Sequence, residues 1–145
     1  MRSGKIPDDA VTASSTISSG YKPSYARLTR VGSSCSWAPP AAGRIGSWLQ
    51  VDLGKVTTVT GIATQGSCDS KEWVKSYSVS YSNEHNSWTP YEESGNVKVF
   101  QANTDASSIV THSFKSPIRA RYIRVLPQSW NSYPTMRLEL YGCRY

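Results

Sequence analysis

Hydrophobic and polar residues alternate with a period of two at several places along the chain. In Trp48-Leu49-Gln50-Val51-Asp52-Leu53-Gly54, the apolar Leu49, Val51 and Leu53 interleave with Gln50 and Asp52, the signature of a strand with one dry face. Gly54-Lys55 is expected to turn the chain, and residues 56–66 form a second stretch rich in Val, Ile and Thr. Tyr77, Val79 and Tyr81 alternate with serines in residues 74–81. Further strands are predicted over 97–100, over 107–114 and 118–126 joined at Ser116-Pro117, and over 135–141, with a short extended piece at 10–15. No segment keeps a helical period over three turns. Roughly eight short strands punctuated by turn residues predict an all-β sandwich or jelly roll, with residues 1–145 as a single domain.

The stretches between these strands are long and aromatic. Residues 18–46 show no period and carry Tyr21, Pro23, Tyr25, Arg27, Arg30, Cys35 and Trp37. A loop of that length in a compact domain points to function. A second loop spans 66–73 and a third 128–134, the latter bearing Trp130 and Tyr133. Such loops gather at the ends of sheets, the usual place for binding.

Charge adds one element. The formal net charge is +6, without a run of basic residues. An excess of that kind suits an anionic partner, a phospholipid surface, a bacterial lipid or a sulfated glycan, and its scatter argues against nucleic acid. No stretch is long and apolar enough for a transmembrane helix, and none follows the N-terminus as a signal peptide would.

Catalysis is not expected. The two histidines, His85 in an apparent hairpin turn and His112 inside a strand pattern, suit structural or solvated roles. Glu92-Glu93 are adjacent, so on a strand they point to opposite faces and cannot act as a glycosidase pair. Asp8-Asp9 beside Pro7 read as a turn and cap more readily than as calcium ligands. Cys35, Cys68 and Cys143 fit no zinc spacing, and neither metal nor cofactor is expected.

Short motifs in a fixed order carry a family resemblance over nearly the whole length. They are Gly4-Lys5-Ile6-Pro7-Asp8 with Thr12-Ala13-Ser14-Ser15, Arg27-Leu28, Trp48-Leu49-Gln50-Val51-Asp52-Leu53-Gly54, and Thr64-Gln65-Gly66. Residues 77–82 with Trp88, Gly95-Asn96, Arg121-Tyr122-Ile123-Arg124-Val125 and Met136-Arg137-Leu138-Glu139-Leu140-Tyr141-Gly142-Cys143 complete the set. The chain resembles the discoidin domain, also called the coagulation factor 5/8 type C domain. That resemblance implies a distorted eight-stranded jelly-roll barrel, a discoidin-like and galactose-binding-like sandwich. It implies a non-catalytic module of a larger secreted or cell-surface protein, with its ligand site among loop spikes at one end. Family ligands include anionic phospholipid, galactose-type sugars, collagen and peptide ends. The resemblance further implies a Cys35–Cys68 disulfide between the first two spikes, and a partner for Cys143 upstream of Met1.

Residue by residue, several of those ligands are disfavoured. An arginine-end pocket of the neuropilin type needs an aspartate where Ala42 stands, although Ser70-Lys71-Glu72 is similar to its second loop. The collagen-receptor version places tryptophan at Ile17 and an acid before the Trp37 region, where Ser33-Ser34 stand. What remains is a loop end bearing Tyr21, Lys22, Pro23, Tyr25, Arg44, Lys71, Trp73, Lys75, Trp130 and Tyr133. Rings flanked by cations suit an anionic membrane surface or a cell-surface glycan, with a protein partner as a third possibility. Trp37, Trp48 and Trp88 are assigned to the core, and Arg121, Arg124, Arg137 and Glu139 to internal ion pairs and hydrogen bonds.

Overall fold

The structure is a computed structural model, and it describes residues 6–17, 21–27, 36–39, 46–67, 71–84 and 86–143. Nine strands lie among them: β1 (Val11–Ala13), β2 (Leu49–Gln65), β3 (Trp73–Ser82), β4 (Thr89–Pro90), β5 (Glu92–Glu93), β6 (Asn96–Val97), β7 (Phe100–Gln101), β8 (Val110–Asn131) and β9 (Arg137–Cys143). Seven form one sheet in which every pairing is antiparallel, and β5 and β6 form a separate hairpin. Two short 3-10 turns, Asp8–Ala10 and Pro23–Tyr25, precede β2.

The alternation around Leu49 and Val51 does mark a strand, but the breaks expected at Gly54-Lys55 and Ser116-Pro117 do not separate strands. β2 and β8 each run on through them. The pairing explains why. Between the rungs Asp52–Tyr122 and Thr57–Ala120, residues 53–56 of β2 face Arg121 alone. Between Val59–Ile118 and Gly61–Ser113, residues 114–117 of β8 face Thr60 alone. Gly54, at φ +83°, supplies the left-handed backbone for the first bulge, and a bulge is also where a proline such as Pro117 is tolerated within a sheet. Turn residues here bend a continuous ladder instead of ending it. β8 also extends to Asn131, so Trp130 sits on a strand and not in the loop expected over 128–134.

The bulges let one sheet serve two sides of a core. The first part of β2 pairs with β1 and with residues 122–125 of β8; its second part pairs with β9 and with the first part of β8. β3 pairs with the far part of β8. The sheet curls until the end of β2 meets the start of β3. A Cβ on Gly66 would lie 2.7 Å from both the Glu72 carbonyl oxygen and the Trp73 Cβ, an approach only glycine permits. One hydrophobic cluster fills the interior, drawing Leu49, Val51, Val79, Ile123 and Val125 from one side and Val59, Ile62, Ile118 and Leu138 from the other. Tyr77, Tyr91, Phe100 and Phe114 add an aromatic wall: Phe100 stacks on Tyr77 and Tyr91, and Phe114 meets Tyr91 tilted, with centroids 4.9 Å apart. Burial raises the Tyr77 phenol above its ordinary pKa, so it stays neutral.

The three tryptophans assigned to the core divide. Trp37 is fully buried and donates its indole N–H to the Ser15 carbonyl at 3.0 Å. Trp48 and Trp88 are half-buried and hold the Arg124 guanidinium between them, 3.8 Å from each ring centroid. Arg124 Nε donates to Gln50 Oε1 at 2.9 Å. Partial burial lowers the Arg124 pKa by desolvation, yet a guanidinium remains cationic at neutral pH. Arg121 clasps Asp52 with two hydrogen bonds, of 2.9 and 3.1 Å, across the β2–β8 ladder, and that partner raises its pKa. Arg137 is 3% exposed and donates to the Gly66 and Ala106 carbonyls, tying β9 to both neighbouring loops. These arginines serve the fold, by stacking and carbonyl bonds as much as by ion pairs.

Removing the stacked cation tests that assignment. Arg124→Ala is expected to cost about 2 kcal/mol from two ring contacts and a hydrogen bond, a fall of about 6 °C in Tm. Arg124→Lys, which keeps the charge but not the plane, should recover less than half of the loss in calorimetry. Full recovery by lysine would show that charge alone is what the site needs.

Candidate functional site

The predicted site residues fall on two scaffolds. Lys71, Trp73, Lys75, Trp130 and Tyr133 come together where β3 begins and β8 ends. Trp73 pairs with Asn131 and Val74 with Trp130 in the ladder. Asn131 Nδ2 donates to the Lys71 carbonyl at 3.0 Å, fixing the base of the second loop against the end of β8. Beyond Asn131 the chain turns tightly, with Ser132 at φ +63° and the Tyr133 amide donating to the Asn131 carbonyl at 2.7 Å. Thr135 Oγ1 then donates to Glu72 Oε1 at 2.9 Å, and the Ser67 amide to the Glu72 carbonyl at 2.9 Å. Glu72 is thus the knot between the second loop, the 131–135 turn and the end of β2.

Tyr21, Lys22 and Tyr25 sit on the other scaffold. Pro23–Tyr25 forms a 3-10 turn packed against β1 and the Asp8–Ala10 turn. Ala26 is buried and accepts from the Leu138 amide at 3.0 Å, while Arg27 donates to the Ile6 carbonyl and to Asp8 Oδ1, both at 2.8 Å. One oxygen of the Asp8 carboxylate is therefore taken by an arginine, and Asp8 opens the Asp8–Ala10 turn. Tyr21 and Tyr25 are half-buried and Lys22 is exposed. Arg44, the Cys35–Cys68 pair and His85 lie outside the described residues, as does the Cys143 side chain. His112 is engaged in the fold, its Nε2 2.6 Å from the Gln101 carbonyl and its ring against Phe100.

Sequence reasoning missed one wall of the site. Trp73 and Lys75 border a recess of about 290 Å³ whose other side is formed by Gln101, Ala102, Asn103 and Thr104. Residues 101–106 lie between the strands predicted over 97–100 and 107–114 and show no pattern of their own. They reach β3 through the Ala102 and Asn103 amides, which donate to the Lys75 and Val74 carbonyls at 2.7 and 3.1 Å. Such long-range main-chain bonds leave no local signal. Asn103 is 2% exposed and held from three directions: its Oδ1 accepts from Thr64 Oγ1, and its Nδ2 donates to the Thr64 and Ser108 carbonyls. The loop then closes on Asp105, whose carboxylate accepts from the Ser108 amide at 2.6 Å, the Ser108 hydroxyl at 2.8 Å and the Ser107 amide at 3.1 Å. The Ser108 amide above all, then its hydroxyl, holds the Asp105 carboxyl below its ordinary pKa. Against this framed edge, the Trp73 indole N–H is buried with no acceptor among the described residues. The site offers an aromatic ring, an unpaired donor, amides and exposed ammonium groups on a rigid rim.

A curled β sandwich with aromatic and basic groups at loops on one end is the architecture of a recognition module. A profile of the F5/8 type C domain matches residues 10–140, and the chain belongs to that family. Among curated relatives, lactadherin of Rattus norvegicus is 42% identical over 99% of this chain, and coagulation factor V of Pseudonaja textilis is 39% identical over 99%. The chain spans 35% of that lactadherin and 10% of that coagulation factor V. Among solved structures, wild-type discoidin II from Dictyostelium discoideum is similar, with a TM-score of 0.83 and 27% identity over 93% of this chain and 55% of its own. The family 32 CBM from C. perfringens NanJ shares the fold, with a TM-score of 0.69 and 22% identity over 94% of this chain and 97% of its own. The jelly-roll class expected from the sequence is the observed one.

Because hydrogen bonding favours ionised Asp105, its support for the loop is complete above the ordinary carboxylate pKa of 3.8 and is lost as pH falls through the lower folded-state value. The Ser107 and Ser108 amide resonances should titrate below 3.8, and the titration should vanish in Asp105→Asn. A midpoint at or above the ordinary value would contradict this geometry.

Proposed function

We propose that this chain is a non-catalytic recognition module that binds anionic cell-surface material, phospholipid or bacterial envelope glycolipid, through the end where β3 begins and β8 ends. The module acts outside the cell, secreted or on the outer cell surface, as part of a larger protein. The observation that carries the reading is the gathering of Lys71, Trp73, Lys75, Trp130 and Tyr133 on one hydrogen-bonded rim. Rings at headgroup depth and ammonium groups against anionic lipid are the two contributions a peripheral membrane site needs. Tyr21, Lys22 and Tyr25, on the Pro23–Tyr25 scaffold, are assigned to the same ligand in this reading. With Ile17 (45% exposed) and the half-buried Trp73 as its nearest apolar tips, contact is shallow and largely electrostatic. Family membership, shared with lactadherin and coagulation factor V, supports a binding role.

A galactose-type lectin is the second reading. The recess pairs the Trp73 ring with the exposed Gln101 and Thr104, the mixture that stacks on a sugar face and orders its hydroxyls.

Salt separates the two. Phosphatidylserine vesicles should sediment the protein at low salt and release it at high salt, whereas phosphatidylcholine vesicles should not bind it. At about 1 kcal/mol per basic residue near the surface, Lys71→Ala and Lys75→Ala should each weaken binding about fivefold, and Trp73→Ala should remove most of it. No vesicle binding together with salt-insensitive retention on galactose would overturn the membrane reading in favour of the lectin.

A further inference from the structure

The exposed cations of the described residues are not confined to the loop end. Lys55, Lys115 and Arg119 are exposed in the middle of the β2–β8 ladder, on and between its two bulges. Lys55 and Val56 ride on the four-residue bulge of β2, and Val56 is 38% exposed. Lys115, Ser116 and Pro117 ride on the bulge of β8, and all three are exposed. Three rungs join the bulges: Thr57–Ala120, Thr58–Arg119 and Val59–Ile118. Thr57, Val59, Ile118 and Ala120 are buried, so Arg119 and Thr58 point outward between the two bulges. Twelve residues of β8, about 40 Å of extended strand at about 3.3 Å per residue, separate Arg119 from Asn131 at the loop site.

No ion pair engages Lys115 or Arg119 among the described residues. Of the neighbouring acids, Asp52 is engaged by Arg121 and Glu93 by Lys98 and the Tyr91 hydroxyl, while the exposed Asp9 and Glu92 flank the strip. Tyr91 also meets the Lys115 and Ser116 backbone, which anchors the β8 bulge to the buried aromatic wall. The patch is therefore a fixed basic strip, with Arg119 on the ladder and a lysine on the bulge at either side.

We propose that this strip is a second binding surface, and that its partner is a linear sulfated polysaccharide of the heparin type. Val56 and Pro117 are the apolar groups on its two bulges, and neither carries the aromatic body that seats a domain in a bilayer. Cations strung along a ladder match charges strung along a chain, and a polyanion gains by shedding condensed counterions at each contact. Bound at both sites, the domain links a sulfated glycan to a separate ligand at its loops. The proposal does not depend on what those loops bind.

The test uses a heparin octasaccharide and its desulfated form, titrated by calorimetry at several salt concentrations. The triple variant Lys55→Gln/Lys115→Gln/Arg119→Gln should weaken heparin binding at least about tenfold and flatten its salt dependence by roughly one counterion per charge removed. Phosphatidylserine vesicle binding should be unchanged in that variant, and desulfated heparin should not bind the parent protein. Lys115→Arg, which keeps the charge, should bind like the parent, and an unchanged Tm shows that the triple variant is folded. The proposal is overturned if the parent ignores heparin, or if the triple variant binds it as tightly as the parent. It is equally overturned if the triple variant loses vesicle binding and not heparin, which would make the strip a second membrane contact.

Discussion

The antiparallel ladder between β2 and β8 is the constraint on which the other elements of the main sheet depend. β1 and β9 enter by pairing with β2, β3 enters by pairing with β8, and β4 and β7 enter through β3. A ladder of that length would twist away from itself were it uninterrupted. Its two bulges bend it, so that hydrophobic faces from both parts close on one core. The Asp52–Arg121 clasp and the Trp48–Arg124–Trp88 stack sit on the outward side next to the first bulge, where the curled sheet has no second layer to hold it. Arg137 does the corresponding work at the loop end, satisfying carbonyls of two loops from a buried position.

The loop site inherits its rigidity from this frame. Lys71 and Trp73 are placed by the β3–β8 rungs and by the Asn131 amide, and Lys75 by a main-chain bond to Ala102. The rim is therefore built on strand ends, which hold side chains in place at less entropic cost on binding than a free loop would. The division of labour among arginines and lysines follows. Arginine, with its planar fork, is spent inside the fold at positions 27, 121, 124 and 137, the outward Arg119 excepted. Lysine, a flexible point charge, is left outward at 22, 71, 75 and 115.

Much of this was legible in the sequence, and the failures are instructive. Period-two alternation marked β2 and β3 because each has one apolar face, and Tyr77 and Val79 are indeed buried. The structural roles of Arg121 and Arg137 were legible from the strand motifs they occupy. Gly54 and Ser116-Pro117 misled because turn chemistry is local, while the decision to bend or to reverse is made by the partner strand. The continuation of β8 to Asn131 was hidden for the same reason, since Trp130 and Ser129 gain strand geometry only by pairing with Val74 and Ser76. Asn103 and the recess behind Trp73 were out of reach, because their contacts join residues 39 positions apart. The cations around the bulges had no pattern in sequence at all; the ladder brings Lys55, Lys115 and Arg119 to its bulged middle.

The central claim is that recognition occurs at the meeting of β3 and β8. Hydroxyl-radical footprinting of the protein on phosphatidylserine vesicles reads it side chain by side chain. The account predicts that Trp73, Trp130 and Tyr133 lose reactivity on binding, while Trp88 near the first bulge and the exposed Tyr141 on β9 keep theirs. Protection of Tyr141 or Trp88 with Trp73 left reactive would place the contact on another face and contradict it.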